Sequence, residues 1–312
     1  MDVLAVGDAS VDYFIQVPHI ARADDKAIGR LLGVHGGGMS ANLSAAVAYV
    51  GARSGLITTY GSDSASVAQI EELRALGVDT SRSIRGSDGA SWFCFVQLDK
   101  TGEKALVGAE TDMKVPEARD ITEAALGSAR VVVPLADDLT WALDIAVRAR
   151  EAGALVAIDI EPASARSDRE TMEALVGMSS IVFANRATVD QVANGDFTRC
   201  AEEFRGLGSD VVVLTDGSRG AHCYASSGSW SARTQVEQVA DTTGAGDALA
   251  GAFLGSWAGG SDLPSSLLAG VAASSLCVEH VGARSYTRAT PANSSLYARR
   301  LQGVQLSQEV TP

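Results

Sequence analysis

The sequence predicts an α/β fold built on a central, mainly parallel β-sheet. Short runs of β-branched and apolar residues alternate with helical patterns along most of the 312 residues. A glycine follows four of the predicted helices, where a left-handed C-terminal cap is favoured. This repeated order of strand, helix, glycine and strand is typical of βαβ units in a doubly wound sheet. With 46% hydrophobic residues, the chain has enough apolar side chains for one large core.

The predicted elements follow from these patterns in chain order. Strands buried on both faces are predicted at Val3–Val6, Gly55–Thr59, Val131–Val133, Leu155–Ile160, Ile181–Phe183 and Val211–Thr215. Helices are predicted at Ala41–Val50, Ser64–Leu76, Thr140–Ala152, Asp168–Leu175 and Thr198–Leu207, and the longest apolar stretches predict two buried helices, at Ala248–Ala258 and Leu263–Val278. The four capping glycines are Gly51, Gly77, Gly153 and Gly208.

Two segments interrupt this rhythm. The first, approximately residues 12–34, is too long for a simple connection between a strand and a helix. The second, approximately residues 88–110, contains "SWFCFVQLDKTGEKALVG", which alternates with a period of two around "DKTGE" and predicts a β-hairpin. We interpret the two insertions as a small β-sheet that forms a lid on one main domain covering residues 1–312.

Composition excludes several classes of protein. The net charge is −13 and no run of Lys and Arg occurs, so a nucleic-acid-binding or membrane-binding surface is not expected. The apolar stretches are too short or too polar for a membrane span, and the acidic residue 2 argues against a signal peptide. The four cysteines and four histidines lack zinc-site spacing, so we expect reduced thiols and a cytoplasmic protein.

The stretch "GVHGGGMSAN", residues 33–42, allows two interpretations. Gly36, Gly38 and Ala41 match a loose form of the dinucleotide-binding fingerprint, but the first strand of the chain lies about thirty residues upstream. Alternatively, the glycines admit a polar ligand to backbone amides, beside Asn42 as donor and acceptor and Asp12 as a carboxylate for two adjacent hydroxyls. A plain turn with a capping Asn explains the same residues.

The stretch "TDGSRGA", residues 215–221, follows a predicted strand. The hydroxyl of Thr215 and the backbone amides near Gly217 and Gly220 would suit phosphate oxygens, and Arg219 would add positive charge. Considered alone, however, the stretch is more typical of a turn between two strands.

The most informative stretch is "DTTGAGD", residues 241–247, followed by a long apolar run. Gly244, Ala245 and Gly246 form a predicted turn into a helix, where amide N–H groups and the helix dipole would create an anion-binding site. The chain contains no Walker-type GxxxxGK[ST] loop. Asp247 is either a helix-capping acid or a base that accepts a proton from a hydroxyl attacking phosphorus.

Taken together, these motifs resemble the ribokinase-like sugar kinases, also called the PfkB family, over roughly residues 3–286. "DTTGAGDALAGAF" is similar to the C-terminal signature of the family, and "GGGMSANLSAAVAYVGARSGLITTYGSD" to its N-terminal signature. The resemblance implies a three-layer sandwich with a central mainly parallel sheet and a small β lid. It also implies phosphoryl transfer from ATP to a substrate hydroxyl with Mg²⁺, and a homodimer formed through the lid.

The resemblance also implies a role for each matching residue. Asp247 matches the catalytic base, and the anion hole matches Gly244, Ala245 and Gly246. The substrate-binding positions match Asp12, Gly37, Gly38 and Asn42, and the nucleotide-binding positions match Asn185, Thr215, Gly217 and Gly220. Asp241 and Thr243 match a loop that often binds a monovalent cation such as K⁺ in this family.

Three positions depart from the family pattern. Thr188 occupies the position of a Glu that helps to organise hydrated magnesium, and nearby Asp190 is a candidate for the displaced role. Met39 and Ser10 differ from ribokinase itself at sugar-pocket positions, so the resemblance leaves open whether ribose is the acceptor.

The acceptor and the functional class therefore stay open in part. We expect a small sugar or sugar acid, with a nucleoside as the next alternative; a sugar phosphate is disfavoured because no Lys or Arg lies beside the sugar motifs in the sequence. From other functional classes, the alternatives are an NAD-binding oxidoreductase and a kinase-fold protein that binds ligand without catalysis.

Overall fold

The computed structural model describes residues 1–87, 89–100, 104–109, 111, 113–290 and 293–309. Its largest sheet has ten strands in the order β16-β15-β14-β13-β12-β11-β10-β1-β4-β6. The strands from β6 to β13 in this order are parallel, and β14, β15 and β16 extend the sheet in antiparallel fashion. These strands are β1 (Val3–Val6), β4 (Ser54–Ile57), β6 (Val78–Asp79), β10 (Val131–Pro134), β11 (Leu155–Ile160), β12 (Ile181–Asn185), β13 (Val211–Thr215), β14 (Ala221–Ala225), β15 (Gly228–Arg233) and β16 (Gln305–Glu309).

Helices pack on both faces of this sheet. They are α1 (Met39–Tyr49), α2 (Ser64–Ala75), α3 (Glu123–Leu126), α4 (Leu139–Glu151), α5 (Pro162–Ser167), α6 (Arg169–Met178), α7 (Arg186–Ala193), α8 (Phe197–Leu207), α9 (Ala245–Ala258), α10 (Leu263–Cys277), α11 (Ser285–Ala289) and α12 (Ser295–Gly303). Aspartates cap the N-termini of α2, α4, α6, α8 and α10. Each of these side chains accepts from backbone N–H groups of its own helix that lack a partner within the helix.

The three layers follow from alternation along the buried strands. In β10, Val131 and Val133 belong to the core that α1, α2, α9 and α10 cover, whereas Val132 belongs to the core under α4, α6 and α8. Phe253 of α9 and Phe204 of α8 are completely buried in these two cores. Because both faces of the sheet are covered at its centre, central strands such as β1, β10 and β13 form continuous apolar runs in the sequence.

The predicted α/β architecture is confirmed. All six predicted strands and all seven predicted helices are present, with ends that differ by a few residues from the predicted bounds. The four predicted capping glycines have positive φ angles, as a left-handed cap requires. No helix in the described ranges is long and apolar enough to cross a membrane.

A second, four-stranded sheet lies beside the main one, in the order β3-β2-β8-β9. Its strands are β2 (Ser10–Gln16), β3 (Arg30–Gly37), β8 (Phe93–Leu98) and β9 (Lys104–Ala109), and a two-stranded sheet joins β5 (Thr59–Tyr60) to β7 (Ile84–Arg85). The antiparallel pair of β8 and β9 confirms the predicted hairpin strands, although residues 88, 101–103 and 110 lie outside the described residues. The insertions thus combine into one small sheet.

Candidate active site

Asp247 lies in the first turn of α9, but it does not cap that helix. The N-cap residue is Gly244, and the Asp247 side chain turns away to α1, where Nδ2 of Asn42 donates a hydrogen bond to Oδ2 of Asp247 (2.9 Å). The two residues are 205 positions apart in the sequence. Since the capping aspartates elsewhere bind the backbone of their own helix, the Asp247 carboxylate has a different task.

The environment of Asp247 raises the pKa of its carboxyl group well above the usual value. Burial is the largest cause, the hydrogen bond from Asn42 opposes it, and the negative charges of Asp159, Asp8 and Glu161 add to the increase. A carboxylate with a raised pKa is a stronger proton acceptor than an ordinary aspartate, which is the property that a general base needs.

The turn before Asp247 presents backbone amides to the same space. Gly244 has φ 77°, and a Cβ on it would collide with the side chain of Ala283, so only glycine fits. Gly246 is exposed, and a Cβ there would meet no atom within 4 Å. The first intrahelical hydrogen bond runs from the amide of Ala248 to the carbonyl of Gly244 (2.8 Å). Of the earlier amides, that of Ala245 donates a long hydrogen bond to the carbonyl of Thr242 (3.4 Å), while the others and the positive end of the α9 dipole face an open, anion-attracting space.

Residues of the predicted acceptor site meet at the end of the small sheet. Asp12, on β2, is buried and accepts a hydrogen bond from the hydroxyl of Ser10 (2.7 Å). The carboxylate of Asp12 packs against Gly37, where any side chain would collide with it. Gly38 follows as the N-cap of α1, with φ 91°, and brings Asn42 into the first helical turn. The chain thus places Asp12 and Asn42 at one end of β3 and α1.

The strand that precedes Gly36 and Gly38 does not fit a dinucleotide-binding fingerprint. The strand before these glycines is β3, which belongs to the small sheet and pairs antiparallel with β2. A dinucleotide fingerprint instead follows a strand of a parallel βαβ unit. The glycines are therefore accounted for by Asp12 and by the start of α1.

The predicted nucleotide residues line one cleft of about 840 Å³. Its lining includes Asn185, Thr215, Gly217 and Gly220, together with Ala245 and Gly246 at the start of α9. Asn185 ends β12 and Thr215 ends β13, so both lie at the carboxyl edge of the parallel strands, where ligands bind in such sheets. Apolar side chains of Val239, Leu249, Val271 and Val278 complete the walls.

Arg219 does not point freely into this cleft. It donates two hydrogen bonds to Asp216, and Arg186 donates two more to the same carboxylate (2.6–2.7 Å). Burial raises the pKa of Asp216, but the bonds from Arg219 and Arg186 outweigh it and lower the pKa to about 2. The stretch around Gly217 is indeed a turn, joining β13 to β14.

The loop before α9 is organised by Asp241. One oxygen of this buried carboxylate accepts hydrogen bonds from the amide and the hydroxyl of Thr243 (2.9 and 2.7 Å), and the other accepts from the amide of Gly282 (3.0 Å). Asp241 thereby ties the segment near Gly282 to the turn that presents the amides of α9.

Aromatic side chains of the small sheet pack against one another on one face. Phe93 packs edge-on against Tyr13 and Phe95, in an aromatic cluster on one face of the sheet. Asp12 lies on the opposite face, because side chains alternate along β2. Arg82 and Arg85 lie outside this sheet and donate hydrogen bonds to the hydroxyl of Ser128 and to the carbonyl of Ser62.

Sequence reasoning missed two groups near the site. Asp159, near the end of β11, and Glu161, directly after it, lie at the edge that carries Asn185, and acids at the end of a buried strand were the available signal. Arg284 is almost fully buried against Gly36, whose missing side chain leaves room for the guanidinium group. No Lys or Arg lies beside the sugar motifs in the sequence, but the fold brings Arg284 to Gly36 from a segment that is remote in sequence.

The oxygen donors of the cleft suit magnesium but do not form a complete cage. Within the described ranges, no group of three or more His, Cys, Asp or Glu side chains could hold a metal ion. Magnesium usually keeps several waters and binds one or two carboxylates together with substrate phosphates. Glu161 accepts a hydrogen bond from the cleft-lining Asn185 (3.2 Å), and its carboxylate is the kind of hard oxygen ligand that magnesium prefers.

Comparison with known proteins agrees with this geometry. The family model for pfkB family carbohydrate kinases matches residues 1–290. An ATP-dependent ribose-1-phosphate kinase from Halopiger xanaduensis is 29% identical to this chain, over 91% of this chain and 94% of its own length. A nucleoside kinase from Methanothermobacter thermautotrophicus is 27% identical, over 90% of this chain and 90% of its own length. The solved structure of a ribokinase from Thermotoga maritima superposes with a TM-score of 0.81, at 22% identity over 97% of this chain and 99% of that one. The chain belongs to the pfkB family of carbohydrate kinases and is a kinase with the ribokinase-like fold.

Proposed function

We propose that this kinase transfers the γ-phosphoryl group of ATP to a hydroxyl of a small sugar or sugar acid, with Asp247 as general base. The hydrogen bond from Asn42 to Asp247 carries the proposal, because it joins the acceptor-side residues to the N-terminus of α9. The raised pKa of Asp247 supports the same role. The anion-attracting amides of Gly244, Ala245 and Gly246 lie in the preceding turn.

In this mechanism, Asp247 accepts the proton of the acceptor hydroxyl as its oxygen forms a bond to the γ-phosphorus. The bond between that phosphorus and the β–γ bridging oxygen breaks, ADP leaves, and Asp247 later releases the proton to solvent. The amides of Gly244, Ala245 and Gly246 stabilise the negative charge on the transferred group. ATP supplies the phosphoryl group, and the Mg²⁺ that accompanies it would partly neutralise the negative charge of the phosphates.

The roles of the remaining residues follow from their positions. Asp12 and Asn42, with the backbone at Gly37 and Gly38, would bind two hydroxyls of the acceptor and orient a third towards Asp247. Asn185, Thr215, Gly217 and Gly220 would hold the nucleotide in the 840 Å³ cleft. Asp241 and Thr243 are the proposed loop for a monovalent cation such as K⁺. A nucleoside is the alternative acceptor within the same family.

A second candidate is a sugar phosphate, and Arg284 is the observation that favours it. Its guanidinium donates to Gln69 (2.9 Å) and lies near Glu72, while Nε and Nη1 make no hydrogen bond with the described residues. Arg284 also acts electrostatically on Asp12. A cation at this end of the acceptor site would attract an anionic substrate, and a relative at 29% identity is named a ribose-1-phosphate kinase.

The small sheet is proposed to act as a lid and as the contact between two copies of the chain. One of its faces carries Leu31, Val34, Phe95 and Val107, each more than 40% exposed, and the ladder pairs place them side by side around Tyr13. An exposed apolar surface on paired strands is typical of an interface. Sedimentation equilibrium tests this: the wild-type chain should be a dimer and Phe95→Glu a monomer. A monomeric wild type would contradict the proposal.

The activity is tested by following ADP release from ATP and Mg²⁺ with a panel of sugars, sugar acids, nucleosides and ribose 1-phosphate. Acceptor-dependent ADP release that Asp247→Asn abolishes would support the kinase proposal and identify the acceptor class. Acceptor binding without ADP release in the wild type would instead support a non-catalytic binder. The free, buried cysteines and the need for ATP support the proposed cytoplasmic location.

A further inference from the structure

The carboxyl edge of the central sheet carries more negative charge than its neighbours balance. Asp159 lies in β11, Glu161 follows this strand, and both act electrostatically on Asp247. Burial raises the pKa of Glu161, the hydrogen bond from Asn185 opposes this, and Asp137 adds to the increase. In the described part of the chain, neither Asp159 nor Glu161 forms an ion pair. A triphosphate placed beside these acids needs a cation between the two sets of negative charges.

Two other residues near the nucleotide cleft are not available to hold that cation. Thr188 is completely buried, and its hydroxyl donates to the carbonyl of Ile160 (2.8 Å). Asp190 is about half exposed on the opposite side of α7, 3.9 Å from the guanidinium of Arg186. The sequence-based suggestion that Asp190 takes the magnesium role therefore has no geometric support.

Glu161, unlike Thr188 and Asp190, is held beside the nucleotide cleft by Asn185. Nδ2 of Asn185 donates to Oε2 of Glu161 (3.2 Å), while Oδ1 of Asn185 accepts from the amide of Thr188 (3.1 Å) and so fixes the orientation of the amide. Asn185 lines the nucleotide cleft, so the carboxylate of Glu161 lies one hydrogen bond away from the cleft wall. A partly exposed carboxylate fixed at one oxygen leaves its other oxygen for a metal-bound water.

We propose that Glu161, held by Asn185, positions the hydrated magnesium ion that accompanies ATP in this chain. Glu161 is a positioning residue in this proposal, acting through water on the metal and on the phosphates. The proposal rests on the ATP-dependent function proposed above, but it concerns nucleotide binding and does not depend on the acceptor.

The test compares the affinity for the non-hydrolysable ATP analogue AMP-PNP with and without Mg²⁺, by isothermal titration calorimetry. Glu161→Gln keeps an oxygen that accepts from Asn185 and removes only the charge. We expect roughly tenfold weaker binding of Mg²⁺·AMP-PNP, the usual effect of removing an outer-shell ligand. Binding of AMP-PNP in EDTA should be unchanged or tighter, because a negative charge is lost beside the phosphates. Asp190→Asn is the matched control and should behave as the wild type.

Two results would overturn the proposal. One is a Mg²⁺ dependence of Glu161→Gln equal to that of the wild type. The other is an equal loss of affinity with and without Mg²⁺, which would indicate a purely structural role. Failure of the proposed function can be distinguished from failure of the Glu161 proposal. If Glu161→Gln loses AMP-PNP affinity only in the presence of Mg²⁺ but no acceptor in the panel is phosphorylated, the Glu161 proposal stands and the proposed acceptor class fails. Electron paramagnetic resonance of Mn²⁺ bound with AMP-PNP is an independent test, because it compares the environment of the metal in the wild type and in Glu161→Gln directly.

Discussion

Replacing Asp247 by asparagine tests the proposed base with the smallest change of shape. The introduced amide has the size of the carboxylate, and rotation of the Asn42 amide would keep a hydrogen bond between the two side chains. The substitution removes one negative charge from the cluster that includes Asp159 and Glu161. Because an amide does not accept a proton at neutral pH, only the proton transfer is lost.

The expected loss can be stated from the chemistry of the step. General-base catalysis contributes about 10²–10⁴ in rate, so kcat of Asp247→Asn should fall by that factor. The same factor corresponds to about 3–5 kcal/mol of activation free energy. Affinity for ATP should not fall, since the variant carries less negative charge near the phosphates.

The assay is steady-state ADP release with the acceptor that the panel identifies, together with calorimetric binding of acceptor and AMP-PNP. Asp210→Asn, an acid-to-amide change at an exposed position after α8, is the control and should keep wild-type kcat. A kcat for Asp247→Asn within tenfold of the wild type would refute the reasoning, because the proton would then have another acceptor.

Three further predictions concern stability. Gly244→Ala should lower the free energy of unfolding by at least about 1–2 kcal/mol, because φ of 77° and the contact with Ala283 both disfavour a Cβ. Gly246→Ala is the control and should leave the free energy of unfolding unchanged, because the space around its Cβ is open. Equal urea midpoints for the two variants would contradict this prediction. Phe253→Ala should cost about 3–5 kcal/mol by removing a fully buried ring, while the exposed Ile28→Ala should cost less than about 0.5 kcal/mol; equal losses on thermal unfolding would contradict the burial argument. The pKa of Asp216 in the folded state is lowered to about 2, so its ion pairs stabilise the fold above about pH 4, and this contribution is lost as the pH falls towards 2. After allowance for screening, we expect these ion pairs to contribute about 1 kcal/mol to the free energy of unfolding. The measurement is the pH dependence of unfolding of the wild type and of Asp216→Asn, and identical curves would refute the prediction.

The sequence predicted the buried half of the fold well because burial leaves a local pattern. Strands β1, β11 and β13 match their predicted bounds, since a strand covered on both faces is a continuous apolar run. The antiparallel strands β15 and β16 were not predicted. Their side chains alternate between buried and exposed or are mostly exposed, so no continuous apolar run marks them.

The candidate site divides in the same way between local and remote information. The turn at Gly244 and the helix after it are adjacent in sequence, so their anion-attracting geometry was predictable. The partner of Asp247 is 205 positions away, and Arg284 reaches Gln69 across 215 positions. Such contacts depend on how helices that are remote in sequence, such as α1 and α9, pack against each other, and the local pattern of a single sequence does not specify that.

The acids around Asp247 connect the pH dependence of the reaction to Glu161. Because the charge of Glu161 is one of the causes that raise the pKa of Asp247, Glu161→Gln should lower that pKa. A base acts only when deprotonated, so kcat/KM should rise with pH through the pKa of Asp247, and this acidic limb should move to lower pH in Glu161→Gln. The experiment is a pH–rate profile of both proteins at saturating Mg²⁺, with Asp190→Asn as control. An acidic limb that stays in place, or that moves to higher pH, would show that Glu161 does not act on the base through its charge.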